Sequence, residues 1–478
     1  MTKRPNILFV LTDDHAAPAI SAYGSVVNKT PYIDLIAEQG VLFKRALVTN
    51  SLCTPSRATY LTGTHSHVNQ VTTLSTPIDA SQPTFVSLLH DSGYKTAIFG
   101  KWHLGDGEGH DPEGFDKWEV FYDQGNYWDP VVRTKDGDVQ LEGYATDLLT
   151  ERALAWLDSV PEDQPWCLLL WHKAPHRPWL PHPRHAHLYH DPIATPVSFD
   201  DDLSTRATPA HAATMGVGTH LTDIDTKQDP PDGLSFEEMK QWKYQRYMED
   251  YLRCVAAVDE SIGVLLDAVD ARGEQAYTFT IYGADHGFFL GEHGWFDKRF
   301  MYEPSMRIPL VMSYPAKVPA GQVLDTMVSN LDVAQTVLAA ADVPAPPRMQ
   351  GVNLMPLITG LTDEAVRDAH YYRFYEHDDH MHHVWAHYGL TTDRYKLIHY
   401  YADGLGLPNA GGVSYPPEWE LFDLEEDPEE LHNVYRDPRY VDVVEQLKKR
   451  LAELQEELGD EPYTRPTPAQ RAEKFQVR

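Results

Sequence analysis

Four short apolar runs constrain the fold of this chain more than any other feature. They are NILFVLT (Asn6–Thr12), KTAIFG (Lys95–Gly100), WCLLLW (Trp166–Trp171) and YTFTIYG (residues 277–283). Each is continuous rather than alternating, as expected of parallel strands buried on both faces. Helical stretches separate them. Thr30 caps one, with Pro31 at its first position and Gly40 past its end. Residues 84–92 form another, stopped by Gly93. Ser235 and Glu238 make a capping box at the head of a long helix. On it, Tyr247, Tyr251, Cys254, Val258, Ile262 and Leu265 recur at helical spacing. Strands alternating with helices predict an α/β fold: a large, mostly parallel or mixed sheet sandwiched by helices.

The texture changes near residue 365. HYYRFYEH, MHHVWAHYGLTTDRYKLIHYY and EWELFDL read as short strands joined by turns, followed by an amphipathic helix carrying Val444, Leu447, Leu451 and Leu454. The expected organisation is a larger domain over residues 1–365 and a smaller one over residues 366–478. The smaller would be α+β, built on an antiparallel sheet and ending in a loosely ordered tail of about twenty residues. Residues 190–233, polar and rich in Pro, Asp and Thr, suit a long surface excursion.

At 478 residues the chain can bury a large core. Its net charge of -31 argues against nucleic acid as a partner. An anionic substrate would need local cations or a metal to reverse the sign. No apolar run is long enough to span a bilayer. MTKRPNILFVLTDDH is similar to the charged start of a signal peptide, but its apolar part is short and acids follow it. It reads as a buried first strand. The expected location is therefore the cytoplasm, with the periplasm as the alternative. Three cysteines make no disulfide framework.

Polar residues collect just past the C-terminal ends of the predicted strands. Asp13 and Asp14 follow the first, and Lys101, Trp102 and His103 the second. His172, Lys173 and His176 follow the third, and Asp285 and His286 the fourth. Open α/β sheets bind ligands at that edge. Asp13, Asp14 and Asp285 would repel one another unless a divalent cation joined them. Oxygen ligands favour Ca²⁺ or Mg²⁺, and an imidazole from His286 shifts the balance toward Mn²⁺. Taken singly, Asp14 as a helix cap and Asp285 as a turn residue would be the simpler readings. Taken together beside His286, a metal site is favoured.

Cys53 lies in SLCTPSRATYLTG, residues 51–63. Thr54 as cap, Pro55 as first residue and Gly63 past the end predict a helix. A thiol just before its N-terminus, near Arg57, would be acidified and nucleophilic. Cys167 and Cys254 read as core thiols. Lys101, His103, His176 and Lys298 add cations or potential cations, a set suited to a tetrahedral oxyanion. With 24 histidines in the chain, any single one is more simply structural. The tract EHDDHMHHVWAH, residues 376–387, fits no standard metal spacing and reads as pocket lining or surface loop.

CTPSR, Cys53 to Arg57, continued by ATYLTG, resembles the signature of the type I sulfatases of the alkaline phosphatase superfamily. NILFVLTDDH, GKWHLG, HKAPHRPW, ADHGFFLGEHGWFDKR and ELFDLEEDPEELHNV resemble further family landmarks in order, from about residue 5 to 457. The resemblance implies a sulfuric ester hydrolase acting on aryl or sugar sulfates. It implies that a formylglycine-generating enzyme oxidises Cys53 to formylglycine, whose gem-diol attacks sulfur and then expels sulfate, so that the thiol is a precursor. Carried over by motif, Asp13, Asp14, residue 53, Asp285 and His286 would bind one divalent cation, Ca²⁺ being favoured over Mn²⁺ or Mg²⁺. Arg57 would orient the diol, Lys101 and Lys298 would hold sulfate oxygens, His103 would assist at the diol and His176 would contact the sulfate. His or Lys would protonate the leaving oxygen.

One departure stands out. Many members have Asp-Asn where this chain has Asp285-His286. The His form occurs in bacterial sulfatases and in related phosphonate monoester hydrolases and phosphodiesterases, so phosphoryl chemistry is the first alternative. QGNYWDP and HKAPHRPW resemble bacterial sulfatases of sulfated amino sugars. A non-catalytic sulfate- or sugar-binding relative would show a broken site, and this site is intact. A cysteine-thiolate enzyme would be active without maturation. Homo-oligomerisation is left open.

Overall fold

The computed structural model describes residues 4–464. Most of the tail expected over the last twenty or so residues lies outside the described residues. The four apolar runs form the contiguous centre of an eleven-stranded mixed sheet. Asn6–Thr12 pairs in parallel with both Trp166–Trp171 and Thr278–Ala284, and Lys95–Gly100 pairs in parallel with Trp166–Trp171. The register matters for function. Leu11 and Gly100 both pair with Trp171, and Leu11 also pairs with Gly283. All four strands therefore end at one level and release their next residues at one edge. Gly100 is required there, because a Cβ would collide with the Trp171 carbonyl and the backbone is left-handed, with φ 113°.

Two apolar layers cover this sheet. Along Asn6–Thr12, Ile7, Phe9 and Leu11 enter one layer while Leu8 and Val10 enter the other. The first layer is packed by helices Cys53–Thr62, Phe85–Asp91 and Leu331–Ala340. The second is packed by Pro31–Glu38, Ala145–Ser159 and the long helix Phe236–Ala271. Continuous burial on both faces explains why these strands read as unbroken apolar runs. Helices begin as the capping residues predict at Thr30, Thr84 and Ser235. The exception is the helix of the cysteine signature. It starts at Cys53, with Leu52 in the capping position and no side-chain cap, two residues earlier than Thr54 implied.

The remaining strands were not evident from apolar runs. Val41–Leu47, Leu310–Ser313 and Gln322–Ser329 extend one edge, and Lys117–Phe121 with the Val131–Thr134 and Gly137–Gln140 hairpin extends the other. Past residue 365 a second, four-stranded antiparallel meander forms from His370–Phe374, His387–Thr391, Tyr395–Tyr400 and Glu418–Asp423. Helix Val441–Leu458 covers one of its faces. The other face, including Tyr372, Phe374, Tyr400 and Phe422, merges with the core of the large sheet.

The 190–233 segment is more than a surface excursion. It contains three short helices and buries Ile193, Phe199, Arg206, Met215 and Asp225. It is also tied to the small sheet, where the Ala207 amide donates to Glu420 Oε1 at 2.8 Å.

Candidate active site

The strand ends are joined through their backbones. The Asp285 amide donates to the Thr12 carbonyl (3.0 Å), His172 to Leu11 (2.8 Å) and Lys101 to Trp171 (2.7 Å). This lattice holds Asp13, Lys101 and Asp285 within reach of one another. Asp14, His103, Asp297 and Arg299 have φ of 65°, 57°, 82° and 91°, a region that non-glycine residues seldom occupy. Such backbone costs of order 1–3 kcal/mol per residue and persists where surrounding structure holds it.

Arg57 is the hub. Its Nε donates to Asp285 Oδ2 (3.0 Å), its Nη2 to Asp13 Oδ2 (2.9 Å) and its Nη1 to the Lys101 carbonyl (2.6 Å). All three side chains are fully buried. Lys101 Nζ pairs with Asp13 Oδ2 and donates to Gln124 Oε1 at 2.5 Å. Lys298 Nζ donates to Asp14 Oδ1 at 2.7 Å. Cys53 Sγ donates to Asp13 Oδ1 (3.4 Å) and lies 3.3 Å from His286 Nε2. His286 Nδ1 is 2.8 Å from the Gly287 carbonyl, which fixes the proton on that nitrogen and turns the Nε2 lone pair toward Asp14 Oδ1, 3.5 Å away.

Donor atoms of Asp13, Asp14, Cys53 and His286 all lie within 4.8 Å of one another, and all four residues are buried. Asp285 stands at the edge of this group. One of its oxygens is taken by Arg57, and the other lies 3.4 Å from His286 Nε2. Clustered carboxylates with one oriented imidazole fit a hard divalent cation. The β-substituent of residue 53 points into the same cluster.

Histidine roles separate clearly. His176 Nε2 lies 3.7 Å from Asp14 and 4.0 Å from Asp13, while its Nδ1 is 2.7 Å from the Arg177 carbonyl. His103 Nε2 is 3.1 Å from Asp123 Oδ1 and 3.4 Å from Gln124 Nε2. His172 turns away, to Ser261 Oγ at 3.2 Å, and is not part of the site. Within the 376–387 tract, His382 Nδ1 and Nε2 lie 2.9 Å from Asp379 and 3.5 Å from Asp297. The tract therefore lines the wall beside Lys298.

Electrostatics sort the groups. Burial alone would raise Asp13, but Lys101, His176, Arg57 and Lys298 hold its carboxyl well below the usual range. For Asp14, burial outweighs Lys298, and with Asp13 beside it the carboxyl rises to about 6. Burial works to lower Lys298, yet Asp14 keeps it raised. Burial and the Lys101 charge lower His103 to about 4, and together they lower His176 well below its ordinary value. Lys173 is lowered to about 8 for the same two reasons.

The cysteine differs from the expectation of an acidified thiol. Burial first, then Asp13, push Cys53 well above its ordinary value despite Lys101 and Lys298. A helix N-terminus does not overcome complete desolvation beside a carboxylate. The thiol is thus not a ready nucleophile. Glu376 and Asp379 belong to the tract read as pocket lining or surface loop, and Gln124 and Arg299 to quoted motifs, but none was singled out as a site residue, since contacts across loops leave no periodicity.

Residues 5–343 match the sulfatase family, and residues 291–457 match the C-terminal region of N-sulphoglucosamine sulphohydrolase. The chain belongs to the sulfatase family. It is 37% identical to an N-acetylglucosamine-6-O-sulfatase of Bacteroides thetaiotaomicron, across 96% of this chain and 88% of that protein. Among solved structures, a protein in complex with its substrate D-glucosamine-2-N,6-O-disulfate superimposes with a TM-score of 0.88 at 36% identity, over 96% of this chain and 98% of that one. The phosphonate monoester hydrolase of Agrobacterium radiobacter shares the fold, with a TM-score of 0.72 at 21% identity over 95% and 96% of the two chains. The resemblance to the sulfatases and the α/β architecture both stand.

Proposed function

We propose that this sulfatase hydrolyses the 6-O-sulfate of a glucosamine whose nitrogen carries an acyl or sulfo group. The observation that carries this reading is the likeness, over nearly the whole chain, to the protein in complex with D-glucosamine-2-N,6-O-disulfate. The curated 6-O-sulfatase relative supports it.

Asp13, Asp14, residue 53, Asp285 and His286 would hold one divalent cation, with Ca²⁺ favoured by the oxygen donors and Mn²⁺ by His286. When bound, the cation would supply charge to the sulfate, and residue 53, matured to formylglycine by a separate enzyme and hydrated to the gem-diol, would supply a hydroxyl nucleophile. The protein's own charges suit that arrangement. Asp13, Asp14 and Asp285 are matched by Arg57, Lys101 and Lys298, so an added divalent cation leaves net positive charge for a sulfate monoester. Lys101, paired with Asp13, and Lys298, paired with Asp14, hold sulfate oxygens. Arg57 fixes Asp13 and Asp285 in place. His103 and His176, both lowered by burial and the Lys101 charge and so neutral at pH 7 before substrate binds, would accept or return a proton at residue 53 and at the leaving oxygen.

The test is sulfate release from N-acetylglucosamine 6-sulfate, measured beside an aryl phosphonate ester. Sulfate release should dominate, and faster phosphonate turnover would instead place the chain with the phosphonate hydrolases. Cys53→Ala should lose turnover by at least a thousandfold with an unchanged circular dichroism spectrum. The peptide spanning residue 53 should carry the aldehyde only when the protein is made with the maturing enzyme. Equal activity with an unmodified cysteine would refute the role given to the aldehyde.

A further inference from the structure

The turn after strand Lys117–Phe121 brings two neighbouring side chains, Asp123 and Gln124, to the same nitrogen of His103. Asp123 and Gly125 are left-handed there, with φ of 43° and 66°. Tyr122 anchors the turn, its hydroxyl donating to Asp138 Oδ1 at 2.8 Å. Farther along, Tyr127 OH donates to the His176 carbonyl at 2.7 Å, and its ring centroid lies 5.3 Å from Lys173 Nζ. One loop therefore supports the side chains that follow two different strands.

Asp123 and Gln124 make opposite demands on His103. The Gln124 amide has a fixed orientation, because its Oε1 accepts from Lys101 Nζ at 2.5 Å and an ammonium can only donate. Its Nε2, a donor, is left facing His103 Nε2 at 3.4 Å. Asp123 Oδ1, an acceptor, faces the same ring nitrogen at 3.1 Å. Burial and the Lys101 charge keep the ring neutral, and a neutral imidazole carries one proton. Gln124 calls for that proton on Nδ1, and Asp123 calls for it on Nε2. The carboxylate prevails. Its contact is shorter, and a hydrogen bond to an ionised acceptor is roughly twice as strong as one between neutral groups. The hydrogen bond from His103 in turn holds the Asp123 carboxyl below its ordinary range. The Asp123 side chain is 80% exposed, so solvent screens its charge, and its main effect is on which nitrogen is protonated. The other nitrogen, Nδ1, is buried and has no hydrogen-bond partner among the described residues. Besides Asp123, the charges acting on the ring are those of Lys101, Asp13 and Arg57, all members of the site.

We propose that Asp123 is a positioning residue for sulfate ester hydrolysis: it holds the His103 proton on Nε2 and so leaves the Nδ1 lone pair as the proton acceptor at residue 53. This rests on the role given to His103 above. A proton leaving a hydroxyl of matured residue 53 passes to Nδ1, and its electron pair stays on the oxygen. The imidazolium so formed keeps its Nε2 proton, and Asp123 stays ionised beside it. In the opposite tautomer Nδ1 would carry a proton and could only donate. Gln124 then has two effects. It holds Lys101, and it is the group that claims His103 Nε2 when the carboxylate is removed.

Asp123→Asn is the decisive variant. It keeps the size of the side chain and suits a left-handed backbone, so a purely structural role predicts nearly unchanged turnover. The tautomer role predicts that kcat for N-acetylglucosamine 6-sulfate falls tenfold or more in folded, matured protein. The second measurement is NMR of labelled histidine nitrogens, with the His103 signal identified by its loss in His103→Gln. The proton should sit on Nε2 in wild type and move to Nδ1 in Asp123→Asn. Wild-type kcat in Asp123→Asn, a wild-type proton on Nδ1, or a fall in kcat with no change of tautomer would each overturn the proposal. His103→Ala with full turnover would instead overturn the role of His103, and with it this use of Asp123. Absence of any sulfate release by wild type would count against the amino-sugar reading, and the tautomer measurement would still decide Asp123.

Discussion

At the scale of the residue, the site is a problem of like charges. Asp13 and Asp14 are adjacent in the chain, fully buried, and joined by Asp285 from another strand. Lysines and Arg57 offset them in pairs, but the oxygens and the His286 nitrogen still converge on one volume. A divalent cation that binds only the folded protein stabilises it by about 2.7 kcal/mol at a free concentration of 100 Kd. Thermal melting in Ca²⁺ or Mn²⁺, against a chelator control, should therefore show a rise in Tm. Asp14→Asn should remove most of that rise for both ions. His286→Ala should reduce it more for Mn²⁺ than for Ca²⁺, because imidazole favours the softer metal. If neither ion moves the Tm, these residues do not form the metal site. Asp13, Asp14, Asp285 and His286 were legible in the sequence because they directly follow apolar strands. Glu376 and Asp379 were legible only as part of a His- and Asp-rich tract read as pocket lining or surface loop, and Gln124 only as part of a quoted motif. They reach the site from loops, and nothing local in sequence says which loop residues meet across hundreds of positions.

At the scale of the element, legibility followed burial. Strands covered on both faces appear as apolar runs and were found. Val41–Leu47 carries Lys44 and Arg45, and Gln322–Ser329 begins half-exposed, so neither stands out although both belong to the same sheet. The helix starts at Thr84 and Ser235 follow local side-chain caps and that at Thr30 follows Pro31, whereas the helix at Cys53 starts two residues early with no side-chain cap. Pro31–Glu38 shows a cap of another kind, supplied from a distant element. Asp259, on the long helix Phe236–Ala271, accepts the amides of Tyr32 and Ile33, with its Oδ1 at 3.1 and 2.9 Å. Burial raises this carboxyl to about 7, opposed by those two amides and reinforced by Asp34 and Glu260. The sign follows from the proton count. Between about pH 4 and 7 the folded chain keeps a proton at Asp259 that the unfolded chain, titrating near 4, has released. The stability this group contributes is complete below about pH 4 and is lost as pH rises through about 7. Asp259→Asn, which stays neutral and keeps an acceptor, should gain in Tm relative to wild type as pH is raised from 5 to 8. A constant difference between the two melting curves across that range would show that Asp259 is already ionised at the lower pH.

At the scale of the whole molecule, the question is whether residues 1–365 and 366–478 behave as separate bodies. Composition suggested a division, and the small sheet is distinct in topology. Yet one of its faces is continuous with the main core, and its first strand reaches the catalytic region. The Arg373 amide donates to the Thr49 carbonyl at 2.9 Å, and Tyr372 bridges Ser51 and Arg299. The loop that follows that strand, where His382 lies 2.9 Å from Asp379 and 3.5 Å from Asp297, lines the wall beside Lys298 through this attachment. Glu420 concentrates the coupling. It is fully buried and accepts Tyr302 OH and Tyr400 OH, each at 2.8 Å, as well as the Ala207 amide at 2.8 Å. Three parts of the chain therefore meet on one carboxylate: the loop after Lys298, the small sheet and the 190–233 segment. Glu420→Ala would strand two hydroxyls and an amide in the core, at about 1–3 kcal/mol for each left unpaired. A loss of about 3 kcal/mol or more is expected in denaturant unfolding, with a smaller loss for Glu420→Gln, which keeps one acceptor oxygen. Calorimetry should show one transition in the wild type. Two resolved transitions there, or a Glu420→Ala variant as stable as wild type, would mean that the small sheet folds and stands on its own, and that its residues are placed against the site by contacts other than these.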